Sequence, residues 1–81
     1  KAYVFVSDGT AYLSVYAASA EPLFVSLFDI SGQKIQDLVS DYKLEEGTGN
    51  IEIPIYQILP KGVYLVKIKQ GSSVYGVKFL K

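Results

Sequence analysis

Residues 59–81 read LPKGVYLVKIKQGSSVYGVKFLK, and this stretch decides the fold. Apolar and polar residues alternate on both sides of its central glycine, which is the period of a β-strand with one buried face. The stretch therefore predicts two strands, Val63 to Lys69 and Val74 to Leu80, joined as a hairpin across residues 70–73. In the first strand, the side chains expected to face the core are those of Tyr64, Val66 and Ile68.

The polar positions of the same strand predict a solvated surface. Lys67 and Lys69 alternate with the core positions, so they are expected in water on the opposite face. The segment from Leu59 to Tyr64 also resembles a tyrosine corner, in which a tyrosine near the start of the penultimate strand donates its hydroxyl to the upstream backbone. A purely structural role for Tyr64 therefore stands beside any role in recognition.

The rest of the chain repeats this pattern, with turn residues about every eight to twelve positions. The other predicted strands are Ala2 to Val6, Thr10 to Ala17, Leu23 to Ile30, Gln33 to about Val39, and a strand around Ile51, Ile53 and Ile55. About seven strands result and no helix is required. We expect an all-β, immunoglobulin-like antiparallel β-sandwich, with a fibronectin-type variant as the alternative, although the immunoglobulin cysteine pair and core tryptophan are absent.

The stretch after residue 28 allows two interpretations. Asp29-Ile30-Ser31-Gly32 predicts a tight turn, because an aspartate can accept backbone N–H bonds and a glycine can take the left-handed conformation that closes a bulged hairpin. A helical stripe competes beyond this turn, formed by Ile35, Leu38, Val39 and Tyr42. We favour the strand, since a tight hairpin turn leads directly into antiparallel pairing.

Two features set the limits of the strand around Ile51, Ile53 and Ile55. Residues 43–50, KLEEGTGN, are expected to form a polar loop because they contain two glycines and three charged residues. Pro54 cannot donate a backbone hydrogen bond, so it places the strand around Ile51, Ile53 and Ile55 at a sheet edge or ends its ladder.

Composition argues against catalysis and metal binding. The chain has no cysteine and no histidine, so it lacks disulfides, thiolate ligands, the commonest metal ligand and the usual neutral-pH base. Asp41, Glu45 and Glu46 lie in or beside the polar loop, where a solvated surface is the ordinary outcome for acidic residues. The turns around Asp8 and Asp29 lack the dense acidic ligands of a calcium loop. We expect no enzyme activity, no cofactor and no metal.

Charge is unevenly distributed along the 81 residues. Residues 1–52 hold all eight acids and three lysines, a net charge of −5, whereas residues 53–81 hold five lysines and no acid, a net charge of +5. The chain has no arginine, which argues against nucleic-acid recognition. Its apolar runs of about five residues are too short for a transmembrane helix, which needs roughly twenty. Lys1 is not an initiator methionine, and we expect one domain, residues 1–81, excised from a longer protein.

Four segments, in this order, resemble one known family. They are the turn Asp29-Ile30-Ser31-Gly32-Gln33-Lys34, the strand Asn50-Ile51-Glu52-Ile53, the block from Leu59 to Ile68, and the ending Lys78-Phe79-Leu80-Lys81. Together they are similar to the C-terminal sorting domain of proteins exported by the type IX secretion system of Bacteroidetes. Members usually begin with a proline-rich stretch before a glycine turn, and Val4-Phe5-Val6-Ser7-Asp8-Gly9 stands in its place here.

The resemblance implies a function and a set of partners. Such a domain is a sorting signal at the C-terminus of a cargo protein. The cargo and its domain pass through the periplasm and then reach the outer-membrane surface or the extracellular space. The implied partners are the type IX outer-membrane translocon, its shuttle barrel and a sortase that often removes the domain. The residues implied in recognition are Asp29, Gly32, Pro60, Lys61, Gly62, Tyr64, Val66, Ile68, Lys78, Phe79 and Lys81.

A second function remains open from the residues alone. A β-sandwich of this size also serves as a retained structural module, or as a fibronectin-like or carbohydrate-binding accessory module of a surface protein. Sugar binding needs exposed aromatic rings, and Tyr12 and Tyr16 on one strand face are the local candidates. We expect that pair to pack in the core instead.

Overall fold

Seven strands and one short 3₁₀ helix make up the part of the chain that the computed structural model describes, residues 2–17, 19–44 and 47–81. In chain order they are β1 (Ala2–Ser7), β2 (Thr10–Ala17), β3 (Leu23–Asp29), β4 (Lys34–Tyr42), β5 (Gly47–Ile53), the 3₁₀ helix (Tyr56–Ile58), β6 (Val63–Gln70) and β7 (Ser73–Leu80). No α-helix occurs among these described residues. The all-β prediction is confirmed.

The strands form two antiparallel sheets. One has three strands in the order β1-β2-β5, and the other has four in the order β4-β3-β6-β7. In the constant-type immunoglobulin order the fourth strand lies beside the fifth. Here β4 pairs with β3 instead. β4 therefore belongs to the sheet of β3, β6 and β7, and the other sheet keeps three strands. Two antiparallel sheets of three and four strands fit the predicted β-sandwich, with a strand order that departs from the constant-type immunoglobulin one.

The first hairpin is set by a two-residue turn. Ser7 pairs with Thr10, which leaves Asp8 and Gly9 as the turn, with φ angles of 51° and 77°. Two positive φ values define the type I′ turn, whose twist matches that of the flanking strands. The predicted Asp-Gly turn therefore joins two neighbouring strands of one sheet.

The core lies between the sheets and is built by alternate positions of four strands, β2, β3, β5 and β6, together with Leu59 from the connection before β6. Each strand turns every second side chain inward, so one face is apolar and buried. The buried residues of the core cluster are Ala11, Leu13, Val15, Leu23, Val25, Leu27, Ile51, Ile53, Leu59, Tyr64, Val66 and Ile68. The inward positions predicted for β6 are thus confirmed.

The segment after Gly32 is a strand, as favoured over the amphipathic helix. β4 is longer than predicted, since it continues to Tyr42, which pairs with Leu23. Its pairing with β3 is interrupted by register shifts, and Asp41 has a φ of 53°. These irregularities bend the edge of the four-stranded sheet and explain why an alternating pattern is weak in this stretch.

The prediction of a polar loop over residues 43–50 is wrong for its second half. β5 begins at Gly47, and Gly49 pairs with Val15 of β2. A side chain at Gly49 would lie 2.5 Å from the Leu44 side chain, so the glycine leaves room for Leu44 to cover the core. Glu45 and Glu46 lie outside the described residues. Pro54 follows the last residue of β5, which is an edge strand, as predicted.

The prediction that Tyr12 and Tyr16 pack in the core is also wrong. Ala11, Leu13 and Val15 are the inward residues of β2, and the alternation of a strand places both tyrosines on the outer face. Tyr16 is 55% exposed. The outer face of the three-stranded sheet therefore carries aromatic residues that are not part of the core.

Replacing Leu27 with alanine tests this core directly. Leu27 of β3 is fully buried in the core. Removing a leucine side chain from such a site lowers the free energy of unfolding by about 2–5 kcal/mol, because burial is lost and a cavity remains. We expect urea unfolding to show a loss in that range. Ile58→Ala is the control, since Ile58 is 80% exposed and its truncation should change the unfolding free energy by less than about 0.5 kcal/mol. Equal effects of the two changes would contradict the assigned core.

Candidate recognition surface on the closing hairpin

The predicted recognition residues separate into inward and outward groups around the β6–β7 hairpin. Tyr64, Val66 and Ile68 are buried, and Phe79 is half-buried against the same core. Pro60, Lys61 and Lys78 are exposed. Asp29 pairs with Tyr64 in the register of β3 and β6, so the turn that follows β3 lies at the same end of the sheet as the start of β6.

Tyr64 forms the predicted tyrosine corner. Its hydroxyl donates a hydrogen bond of 2.5 Å to the backbone carbonyl of Pro60. Its ring stacks on Phe79 with 5.5 Å between ring centroids and an angle of 25° between the planes. The corner therefore ties the connection before β6 to β7, and both aromatic rings are held in place by it.

Lys81 binds inside the molecule. Its ammonium group donates to the carbonyls of Tyr56 at 2.6 Å, Gln57 at 3.0 Å and Leu59 at 2.7 Å, and lies 4.9 Å from the centroid of the Tyr56 ring. The backbone of Lys81 also exchanges two hydrogen bonds with Gly62, at 2.8 and 3.2 Å. Lys81 therefore acts as a cap at the end of the 3₁₀ helix, where the Tyr56 carbonyl also accepts the N–H of Leu59 at 3.2 Å.

The aspartate turn has the predicted geometry. One carboxylate oxygen of Asp29 accepts hydrogen bonds from the backbone N–H of Ser31 at 2.9 Å and of Gln33 at 3.0 Å, and from the Ser31 hydroxyl at 2.6 Å. Gly32 has a φ of 91° and donates to the carbonyl of Asp29, which closes a bulged hairpin. The Ser31 hydroxyl, followed by the backbone N–H groups, holds the pKa of Asp29 below its usual value.

Three lysines share the outer face of the four-stranded sheet. Lys67 and Lys69 of β6 point outward, and Lys78 pairs with Leu65 on the neighbouring strand. Among the described residues the one ion pair joins Lys34 to Asp37 at 3.0 Å, so these three lysines have no carboxylate partner there. The predicted lysine-rich ending thus forms an outward patch that does not include the Lys81 ammonium group.

Apolar surface lies between these lysines. An open hollow of about 370 Å³ includes Phe28, Leu65, Val74 and Tyr75 in its lining, together with Lys67, whose ammonium lies 5.9 Å from the Phe28 ring centroid. Val74 is 53% exposed. The face therefore combines positive charge with accessible apolar area, which is the composition of a protein-docking surface more than of an ordinary solvated sheet.

β7 leaves one row of backbone groups unpaired. Gly62 and Lys81 form a hydrogen-bonded pair, and such pairs alternate along an antiparallel ladder, so Phe79, Val77 and Tyr75 bond inward to β6. The backbone N–H and C=O groups of the intervening residues point away from the sheet. Those residues are Val74, Gly76, Lys78 and Leu80. Because β7 ends the sheet, this row is a template for an added strand.

A comparison with known families agrees with this geometry. The model of the family described as the secretion system C-terminal sorting domain matches residues 8–81. The chain belongs to this family. Neither a curated protein nor a solved structure matches the chain.

Membership in the sorting-domain family makes the chain a C-terminal sorting signal of type IX secretion. Export to the outer-membrane surface or the extracellular space follows from this membership. The family description names a sorting signal. In residues 2–17, 19–44 and 47–81, no cluster of three acidic side chains could hold a metal ion, and no helix is long and apolar enough to cross a membrane.

Sequence reasoning missed the role of Lys81 and the free edge of β7. The sequence did contain a signal for the role of Lys81. Lys81 stands two positions after Phe79, so its side chain is expected on the same inward face of β7 as that of Phe79. The acceptors are 22–25 residues away in the chain, and nothing local identifies them.

Replacing Lys81 with glutamine should destabilise the fold. Hydrogen bonds to a charged group contribute about 1.5–3 kcal/mol, and partial solvent access reduces the expected loss to about 1–2 kcal/mol. Lys78→Gln is the matched control, since Lys78 is exposed and its replacement should change stability by less than about 0.5 kcal/mol. Urea unfolding followed by tyrosine fluorescence measures both. A Lys81 variant as stable as the Lys78 variant would show that the internal bonds contribute nothing.

Asp29 predicts a pH dependence of stability. Its pKa is lower in the folded chain than its usual value of 3.8, so the ionised carboxylate stabilises the fold above that value and the contribution is lost as the pH falls through the folded pKa. Asp29→Asn keeps an accepting oxygen but removes the charge. We expect the variant to melt at a lower temperature than the parent at neutral pH, and the difference to vanish in acid below the folded pKa. A difference that is independent of pH would contradict this.

Proposed function

We propose that residues 1–81 act as one non-enzymatic domain on the C-terminal side of a cargo protein and carry that cargo through the type IX pathway. The domain passes through the periplasm and reaches the outer-membrane surface or the extracellular space. The observation that carries this proposal is the family match over residues 8–81. Its partners are the outer-membrane translocon, the shuttle barrel and a sortase, and nucleic acid is not among them.

In this proposal the type IX secretion machinery binds the β7 edge and the patch formed by Lys67, Lys69 and Lys78. The outward backbone groups of Val74, Gly76, Lys78 and Leu80 allow a partner strand to extend the sheet by β-augmentation. Lys67, Lys69 and Lys78 then provide a modest electrostatic contact, since ammonium groups are compact and strongly hydrated and lack the fork of an arginine. The hollow beside Phe28 receives apolar side chains of the same partner.

The predicted recognition residues divide into two roles in this scheme. Lys78 contacts the partner directly, and Pro60 and Lys61 lie exposed at the entry to β6. The remaining residues present this surface in one rigid shape, through the corner, the stacked rings and the aspartate turn. They are Asp29, Gly32, Gly62, Tyr64, Val66, Ile68, Phe79 and Lys81.

A reporter experiment tests the function. A folded reporter with a Sec signal carries residues 1–81 at its C-terminus, in a type IX-competent cell and in a twin that lacks the translocon. We expect surface or extracellular reporter in the competent cell alone. Periplasmic reporter in both cells would overturn the sorting function for this chain. The mass of the exported reporter shows whether a sortase removes the domain; an intact mass favours a retained structural module.

The substitution Lys78→Pro tests whether a partner strand pairs with the β7 edge. A proline removes an outward N–H of β7 while the ladder with β6 keeps its bonds, so the fold should lose little stability and export should fall at least tenfold. Lys78→Gln, with the same charge change but an intact N–H, separates charge from strand pairing. Val77→Pro removes an inward N–H and should unfold the domain. Normal export of a folded Lys78→Pro reporter would exclude strand addition at this edge.

A further inference from the structure

The outer face of the three-stranded sheet carries four aromatic rings. We call these residues, Tyr3, Phe5, Tyr12 and Tyr16, the aromatic face. Phe5 pairs with Tyr12 across β1 and β2, and their rings stack with 5.4 Å between centroids. Tyr3 lies 5.9 Å from Phe5, also between ring centroids. Tyr3, Phe5 and Tyr12 thus form a row of neighbouring rings across the two strands, and Tyr16 lies further along β2 on the same face.

Folding accounts for only half of the aromatic face. Phe5 and Tyr12 are partly buried against each other, and such a cross-strand pair stabilises a sheet. Tyr3 is 60% exposed and Tyr16 is 55% exposed. Their apolar ring faces meet water and add nothing to the core, which lies on the other side of the sheet. Exposed aromatic area of this kind, with polar residues around it, is typical of a binding surface.

Small polar residues separate and border the two exposed rings. Ser14 lies between Tyr12 and Tyr16 on β2 and pairs with Tyr3, and it is only 6% exposed because neighbouring side chains cover it. On β5, Asn50 pairs with Ser14 and Thr48 pairs with Tyr16, and both are exposed. An amide and a hydroxyl, each able to donate and accept hydrogen bonds, therefore border the rings.

The charge of this face restricts the ligand. Glu52, paired with Tyr12, is its one formal charge among the described residues, and no described lysine lies on it. The outward lysines Lys67, Lys69 and Lys78 are on the other sheet. Among the described residues an anionic polymer would meet a carboxylate and no cation on this face, so the face favours a neutral ligand rich in hydroxyl groups.

We propose that the aromatic face binds a neutral polysaccharide chain. Sugar rings present apolar C–H faces that stack on Tyr3 and Tyr16, and hydroxyl groups in the ring plane that reach Asn50 and Thr48. An open row of rings on a sheet face suits a polymer more than a small molecule, which needs a concave site. This inference is independent of the sorting function, because it uses the opposite sheet, and it assigns the domain a way to hold the glycan of a cell surface or growth substrate.

Affinity electrophoresis tests the proposal on the 81-residue chain. The gels contain hydroxyethylcellulose, galactomannan or xylan as neutral polysaccharides, and alginate as the anionic one. We expect retardation in at least one neutral gel and none in alginate. Tyr3→Ala combined with Tyr16→Ala should weaken that binding at least tenfold with the melting temperature little changed. Phe24→Ala is the matched control, since it removes an exposed ring from the other sheet and should leave binding unchanged.

Three results would overturn the proposal. The first is no retardation in any neutral gel, and the second is undiminished binding by the folded double tyrosine variant. The third is self-association: sedimentation velocity that shows a dimer of the parent chain and a monomer of the double variant would make the aromatic face an interface between copies. Because no step involves secretion, a failure here leaves the reporter experiment unaffected, and the reverse also holds.

Discussion

The hydrogen bond from the Tyr64 hydroxyl to the Pro60 carbonyl is the contact on which the closing half of this domain depends. It fixes the entry to β6 and orients the ring that stacks on Phe79. Phe79 in turn sets the inward face of β7, and two positions later Lys81 reaches the carbonyls around the 3₁₀ helix. A chain without disulfides thus closes its last hairpin with one corner, one ring pair and one ammonium group.

The two sheets of this sorting domain present different chemistry to their surroundings. The four-stranded sheet carries exposed apolar side chains, the open backbone edge of β7 and three lysines without a carboxylate partner among the described residues, a combination suited to a protein partner. The three-stranded sheet carries aromatic rings with neutral polar groups beside them. Antiparallel pairing keeps the lysine-rich β6 and β7 together at one side of the four-stranded sheet, while β3 and β4 of the same sheet carry Asp29 and Asp37. Under the two proposals above, the sorting contact and the ligand contact use different sheets and do not compete.

Local patterns predicted the features that depend on neighbours in the chain. The corner spans four residues, the Asp29 turn spans four, and the Asp8-Gly9 turn two, so each could be recognised from residue types alone. The errors arose where the partner is distant. The 43–50 stretch looked like a loop because of its glycines, yet pairing with β2 and the space that Leu44 needs make Gly47 to Asn50 a strand. Likewise, β2 has apolar residues on both faces, and no local rule states which face meets the other sheet.

Alternation, turn chemistry and the order of short segments were enough to predict the all-β class, the hairpin turns, the inward positions of β6 and the family. Three features became visible in the folded chain alone: Tyr12 and Tyr16 face outward, Lys81 is bound internally, and Lys67, Lys69 and Lys78 form one patch beside a free edge. All three have the same cause. Which face of a strand is buried, and which carbonyl meets which ammonium, is set by how two sheets stack, and that depends on contacts between residues far apart in the chain.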